Sequence, residues 1–154
     1  MPDDVVLNKV AVIERCLGRI REEYEGHESE LATHFTKQDS IILNLLRACE
    51  ASIDVAMHRV RVNRLGVPQD SRDAFALLER AQLIPSDLSQ RLQSMVGFRN
   101  VAIHDYQKLN LDIVRSVLSG HLVDFGTYCQ PLLLRQDVSW LKSGGAGAGG
   151  QANQ

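Results

Sequence analysis

This chain lacks most of the features that would settle its class at a glance. It has no excess of positive charge: 17 Lys and Arg face 19 Asp and Glu, a formal net charge of −2. That removes the global basic field with which many proteins track along a polyanion, while leaving a local basic cleft open. No stretch approaches the roughly 18 consecutive apolar residues of a membrane span, and the N-terminal MPDDVVLNKV carries acids where a signal peptide carries bases. Cysteine is scarce. Cys16, Cys49 and Cys129 are far apart with no CxxC pair, which excludes a disulfide framework and a zinc ribbon. Cys49 lies on an apolar helical stripe and Cys16 beside another, so buried free thiols in a reducing compartment are expected. These absences together describe a soluble, cytoplasmic protein without membrane association.

Catalytic metal patterns are missing too. The histidines are His27, His34, His58, His104 and His121, and none forms HxxxH or HExxH, so neither a metal site nor a cofactor is expected. No Ser/His/Asp or Cys/His arrangement is recognisable, and no segment carries a strand signal. Gly145, Gly147 and Gly150 match GxGxxG formally. With no strand before them and no helix after, the physical context of a dinucleotide fingerprint is absent.

What is present is helical periodicity. Val6, Val10, Ile13, Leu17, Ile20 and Tyr24 recur at spacings of four and three, one face of a long first helix. Gly26 and the acidic run around it should weaken its end. A second helix is expected to open where Thr36 or Asp39 can cap it, with a stripe of Ile42, Leu46, Cys49, Ile53, Ala56 and Val60, and to stop near Arg64 before Gly66 and Pro68. A short helix follows from Ser71 to about Ala81 with Ala74, Leu77 and Leu78 inward. Pro85 introduces a fourth, with Leu88, Leu92 and Met95 on its core side. Asn110 should cap a last helix carrying Val114, Leu118, Leu122, Phe125 and Leu132, which Pro131 should kink or end. The expected architecture is all-α, an up-and-down antiparallel bundle of about five helices over residues 1–142. The Gly-rich segment 143–154 has no side chains able to form a core and is expected to be a flexible tail.

Chemistry concentrates in FRNVAIHDY, residues 98–106. Taken singly, Arg99 could be an inward arginine paired with an acid, and His104 a histidine favoured by the helix C-terminus. Taken together they suit another task. Arginine offers a permanently charged fork matched to phosphate oxygens, and histidine moves protons near neutral pH. A base that deprotonates a ribose 2′-hydroxyl and a cation that stabilises the five-coordinate phosphorus suffice to cleave RNA without metal. Asn100 and His104 are four apart and share a helical face. Arg99 and His104 are five apart and point roughly 140° from one another on a regular helix. Either the helix distorts, or a symmetric partner supplies the missing group, and Gly97 could admit the close approach of a partner helix.

The spacing Arg99-Asn100-x-x-x-His104 resembles the Arg-polar-x(3)-His signature of the HEPN superfamily. GFRNVAIHDY, with a tyrosine one residue beyond the histidine, resembles the HepT-like toxins in particular, and the order of helices over residues 5 to 135 agrees. The resemblance implies a metal-independent endoribonuclease, a homodimer with its cleft between the protomers. Arg99 would bind and stabilise phosphate, His104 would be the acid–base group and Asn100 would orient the site. It also implies a nucleotidyltransferase-fold antitoxin that can add AMP to Tyr106, placing phosphates and adenines two residues from His104. Without the resemblance, Tyr106 could equally be an amphipathic residue at a helix end. Elsewhere, Arg59, Arg61 and Arg64 could extend an RNA-binding surface or simply form a solvated helix end, and Asp54 with His58 reads as a surface pair. A second function class stays open: a non-catalytic nucleotide- or protein-binding subunit of a nucleotidyltransferase complex that keeps the motif to hold phosphate.

Overall fold

The computed structural model describes residues 3–133, and all of its regular structure there is helical. Helix α1 spans Asp4–Tyr24, α2 Phe35–Val62, α3 Ser71–Arg80, α4 Ser86–His104 and α5 Leu111–Gly120; residues 122–133 form α6. Short 3-10 turns lie at Glu28–Glu30 and Tyr106–Lys108. The expected boundary at residue 142 and the Gly-rich segment 143–154 lie outside the described residues.

Caps explain where most helices begin. Asp3 accepts from the amides of Val5 and Val6, Asp70 from that of Asp73, and Asn110 from that of Asp112. Helix α2 departs from expectation: His34, not Thr36 or Asp39, is the cap, its ring nitrogen accepting from the Lys37 amide. Asp39 is thereby left inside the helix with its carboxylate free to reach another element. The chain turns after α1 at Gly26, whose φ of +79° lies in the left-handed region that glycine tolerates.

Side-chain contacts fix an antiparallel order. Asp3 at the start of α1 meets His58 near the end of α2, and Lys9 reaches Asp54 one turn back. Asp54 and His58 are therefore not each other's partners; each is engaged by α1. Arg72 and Ser89 bridge α3 and α4 in opposite directions, to the Gln93 and Phe75 carbonyls. Helix α6 closes the bundle, with the Phe75 and Tyr128 rings edge to face at 5.8 Å and the Tyr128 hydroxyl donating to the Ser52 carbonyl. Arg91 of α4 donates to Asp124 of α6 at 2.9 Å.

The expected last helix is two. It breaks at His121 (φ −121°, ψ −3°) just after Gly120, a residue that weakens helices. Pro131 does not end α6, which continues to residue 133. Burial of Tyr128, Cys129 and Leu132 around it offsets the one hydrogen bond a proline forfeits. Gly97 also serves the chain itself: a Cβ there would lie 2.8 Å from Nη2 of Arg72, so its bareness admits the α3 guanidinium. Among the described residues no helix is long and apolar enough to cross a membrane.

The three cysteines are buried and free. Burial pushes the Cys49 and Cys129 thiols up to about 12, and the Cys16 thiol upward as well. The folded protein should therefore react with an aromatic disulfide reagent at neutral pH far more slowly than the same protein in guanidinium, where all three thiols become accessible. The Asp3 carboxyl is balanced between burial, which raises its pKa, and hydrogen bonds from His58 and from the Val6 and Val5 amides; the net shift is downward. A depressed folded-state pKa gives stability that is present above about pH 4 and fades as the carboxyl protonates below it. Asp3→Ala should cost about 1 kcal/mol at pH 7 by urea denaturation, and the difference from wild type should shrink as the pH falls through 4 towards 2.

Candidate active site

The motif occupies the last turns of α4. The helix remains regular to His104, and the Asp105 amide closes it on the Val101 carbonyl at 2.8 Å. Arg99 points back into the protein. Its Nη2 donates to Ser71 Oγ on α3 at 2.9 Å, and its Nε lies 3.2 Å from Glu50 Oε1 on α2. That second contact is an ion pair without hydrogen-bond alignment, since the Nε proton is buried and has no hydrogen-bond partner. The Arg99 side chain is 17% exposed and that of Glu50 45%, so the acid can swing away where the arginine cannot. Asn100 and Arg99 line one open pocket with Ser71, Arg72, Asp70, Val96 and Met57.

His104 is not part of that pocket. It is exposed at the C-terminus of α4, and among the described residues it has no hydrogen-bond partner. Near it in sequence Val101, Ile103 and Tyr106 are each at least 40% exposed. The Tyr106 hydroxyl donates to Asp39 Oδ1 at 2.5 Å. Partial burial and this contact push the phenol up to about 12.

Asp39 and Glu50 stand eleven residues apart on α2, an offset of only about 20° around the helix and about 16 Å along it. One face of α2 thus carries two carboxylates, one at Tyr106 and one at Arg99. Neither was among the expected site residues. Their spacing of three helical turns was readable, but nothing in sequence indicates which face meets α4.

The expected basic cluster on α2 does not hold together. Arg59 is 6% exposed, with its guanidinium against Tyr128 in the core, because α6 packs over that turn. It cannot present a charge to RNA at the surface. Arg61 is exposed and donates towards the His58 ring, and Arg64 is exposed beyond the helix end at φ +54°. Among the described residues no three His, Cys, Asp or Glu side chains are grouped to hold a metal ion.

A family model for HepT-like ribonucleases matches residues 13–132. The chain belongs to the HepT-like ribonuclease family. It is 54% identical over 123 residues to the mRNA nuclease HepT of Shewanella oneidensis, covering 80% of this chain and 92% of that one. Among solved structures it is similar to a tri-AMPylated Shewanella oneidensis HEPN toxin in complex with MNT antitoxin, at 50% identity and a TM-score of 0.81, covering 86% of this chain and 98% of that one. A toxin–antitoxin structure with AMP-PNP is similar at 49% identity and a TM-score of 0.80, over 84% and 98% of the two chains. The all-α bundle of this HepT-like chain is therefore the fold of a solved toxin family.

The geometry at Tyr106 has a direct spectroscopic consequence. A carboxylate that accepts the phenol's hydrogen bond stabilises the neutral phenol over the phenolate. Asp39→Asn should move the Tyr106 titration, followed by the 13Cζ resonance, down from about 12 towards the ordinary tyrosine value. Partial burial should keep it from returning completely.

Proposed function

We propose that this HepT-like chain is an endoribonuclease toxin that cleaves RNA without a metal ion. Arg99 and His104 meet in a cleft between two copies of the chain, and a nucleotidyltransferase-fold antitoxin silences the cleft by adding AMP to Tyr106. The observation that carries this reading is the regularity of α4. It runs undistorted to His104, with the Arg99 head tied to α2 and α3 and the His104 ring turned to solvent. Arg99 lines a pocket that does not include His104, and a second copy of the chain would supply the missing group to each cleft.

The chemistry follows from the two side chains. His104, unencumbered by any partner among the described residues, takes the 2′-hydroxyl proton while that oxygen attacks the adjacent phosphorus. The P–O5′ bond breaks, and the 5′-oxygen leaves with the electron pair and takes a proton from solvent, leaving a 2′,3′-cyclic phosphate. Arg99, anchored through Nη2, holds its charge where the five-coordinate phosphorus gathers negative charge. Glu50 neutralises Arg99 in the resting chain, and its exposed carboxylate gives way to the incoming phosphate. Asn100, on the wall of the Arg99 pocket, orients the phosphate.

AMP on Tyr106 would set phosphate charge and an adenine ring against the same site, repelling RNA and filling the cleft. The relatives support this arm: one solved neighbour is an AMPylated toxin bound to its MNT antitoxin.

Purified, unmodified protein should cleave a mixed RNA pool that includes transfer RNA in the presence of EDTA. Arg99→Ala and His104→Ala should each lower the rate on the order of 100-fold or more. Mixing the two inactive variants should restore part of the activity, since exchange between dimers builds one cleft with an intact arginine and an intact histidine. No recovery in a mixture shown to exchange would refute the shared cleft. No cleavage by wild type that mass spectrometry shows to be unmodified at Tyr106 would leave the chain as a binding subunit of a nucleotidyltransferase complex.

A further inference from the structure

Asp39 and Tyr106 lie 67 residues apart in sequence, yet the phenol donates to the carboxylate at 2.5 Å. This is not a core contact. Both residues are exposed, and Phe35 and Leu43, one turn to either side of Asp39 on the same face of α2, are 69% and 46% exposed. The hydroxyl is therefore within reach of a second protein, and its proton already points at a base.

We propose that Asp39 is the general base for nucleotidyl transfer onto Tyr106, so that the toxin supplies a catalytic group for its own modification. The inference rests on the reading of Tyr106 as the AMP acceptor. A phenol attacks phosphorus well only as its proton leaves. In the step, Tyr106 Oη forms a bond to the α-phosphorus of ATP. The bond from that phosphorus to the oxygen bridging to the β-phosphorus breaks, and pyrophosphate departs with the electron pair. The phenolic proton passes to Asp39 Oδ1 and from there to solvent, which the exposure of Asp39 permits.

Asp39 is well placed for this and its neighbours are not. A general base must stand within hydrogen-bond reach of the proton it removes, and Asp39 is the acceptor that the Tyr106 hydroxyl has chosen. Asp105, adjacent in sequence, is paired with Lys108 at 3.4 Å. A carboxylate is a weaker base than a phenolate, so the transfer comes late, once the forming O–P bond has made the phenol proton acidic. Before that moment the same hydrogen bond holds the ring in one orientation and limits the conformations the hydroxyl must lose on binding.

The test is initial-rate labelling of the full-length toxin by its cognate nucleotidyltransferase-fold antitoxin with ATP labelled at the α-phosphate. Asp39→Asn keeps an oxygen that can accept the Tyr106 hydrogen bond but cannot take the proton. It should lower kcat for labelling on the order of 100-fold, the low end of what a positioned base contributes, with KM for the toxin and the melting temperature near wild type. Asp39→Glu should recover part of the rate. Labelling of Asp39→Asn at the wild-type rate, or faster, would overturn the inference, the faster case making Asp39 a latch on the hydroxyl. A rise in KM for the toxin with kcat unchanged would reduce Asp39 to a docking contact and overturn it likewise. Loss of labelling with His104→Ala but not with Asp39→Asn would hand the role to His104. Tyr106→Phe separates the two readings: if it is labelled as well as wild type, or if wild type is not labelled at all, the acceptor assignment fails with everything built on it.

Discussion

The candidate site is organised by two contacts that tie the end of α4 and the turn after it to one line along α2. Helix α2 is 28 residues long, and it touches α1 on one side while α3, α4 and the Tyr128 hydroxyl of α6 meet the other. Along the edge that faces α4, the helical repeat returns a side chain to the same line every eleven residues. Asp39 and Glu50 occupy that line, and the antiparallel run of α4 lays Tyr106 and Arg99 against them in reverse order. The register of these two helices decides which acid meets which motif residue. A change of one residue in that register would turn both carboxylates away.

The arrangement keeps a permanent cation partly buried without fully satisfying it. Taking a guanidinium out of water is costly unless its donors are matched, and Arg99 has one matched donor, at Ser71, and one ion pair lacking hydrogen-bond alignment, at Glu50. Incomplete satisfaction of a buried donor is a standing cost. The contacts that hold Arg99 are thus on α2 and α3, and its side chain also lines the pocket shared with Asn100. Rigidity suits the role proposed for Arg99, since a charge held in place need not reorganise as phosphorus gathers negative charge.

His104 stands in the opposite condition. It ends its helix, exposed and unpartnered among the described residues, where a ring can accept and release protons to solvent. Two residues on, Tyr106 is fastened to α2 by Asp39. The short segment after α4 is thus tied back to α2 at Tyr106. Any group added to the phenol oxygen would replace the proton it donates and so end the tie.

Local chemistry was legible in the sequence wherever it depends on near neighbours. The helical stripes, the cap at Asn110, the stop around Gly66 and the 140° divergence of Arg99 from His104 all follow from residues a few positions apart. The motif's own residues were named from spacing and from a family likeness. Tertiary packing alone decided the rest, because each case turns on contacts between distant segments. Asp39 read as a cap and became the partner of Tyr106 once His34 took the amide. Arg59 read as a surface cation and went under α6. Asp54 and His58 read as a pair, yet α1 claimed each separately. The periodicity of one helix states which side chains share a face, but only the neighbour laid against that face decides what they touch.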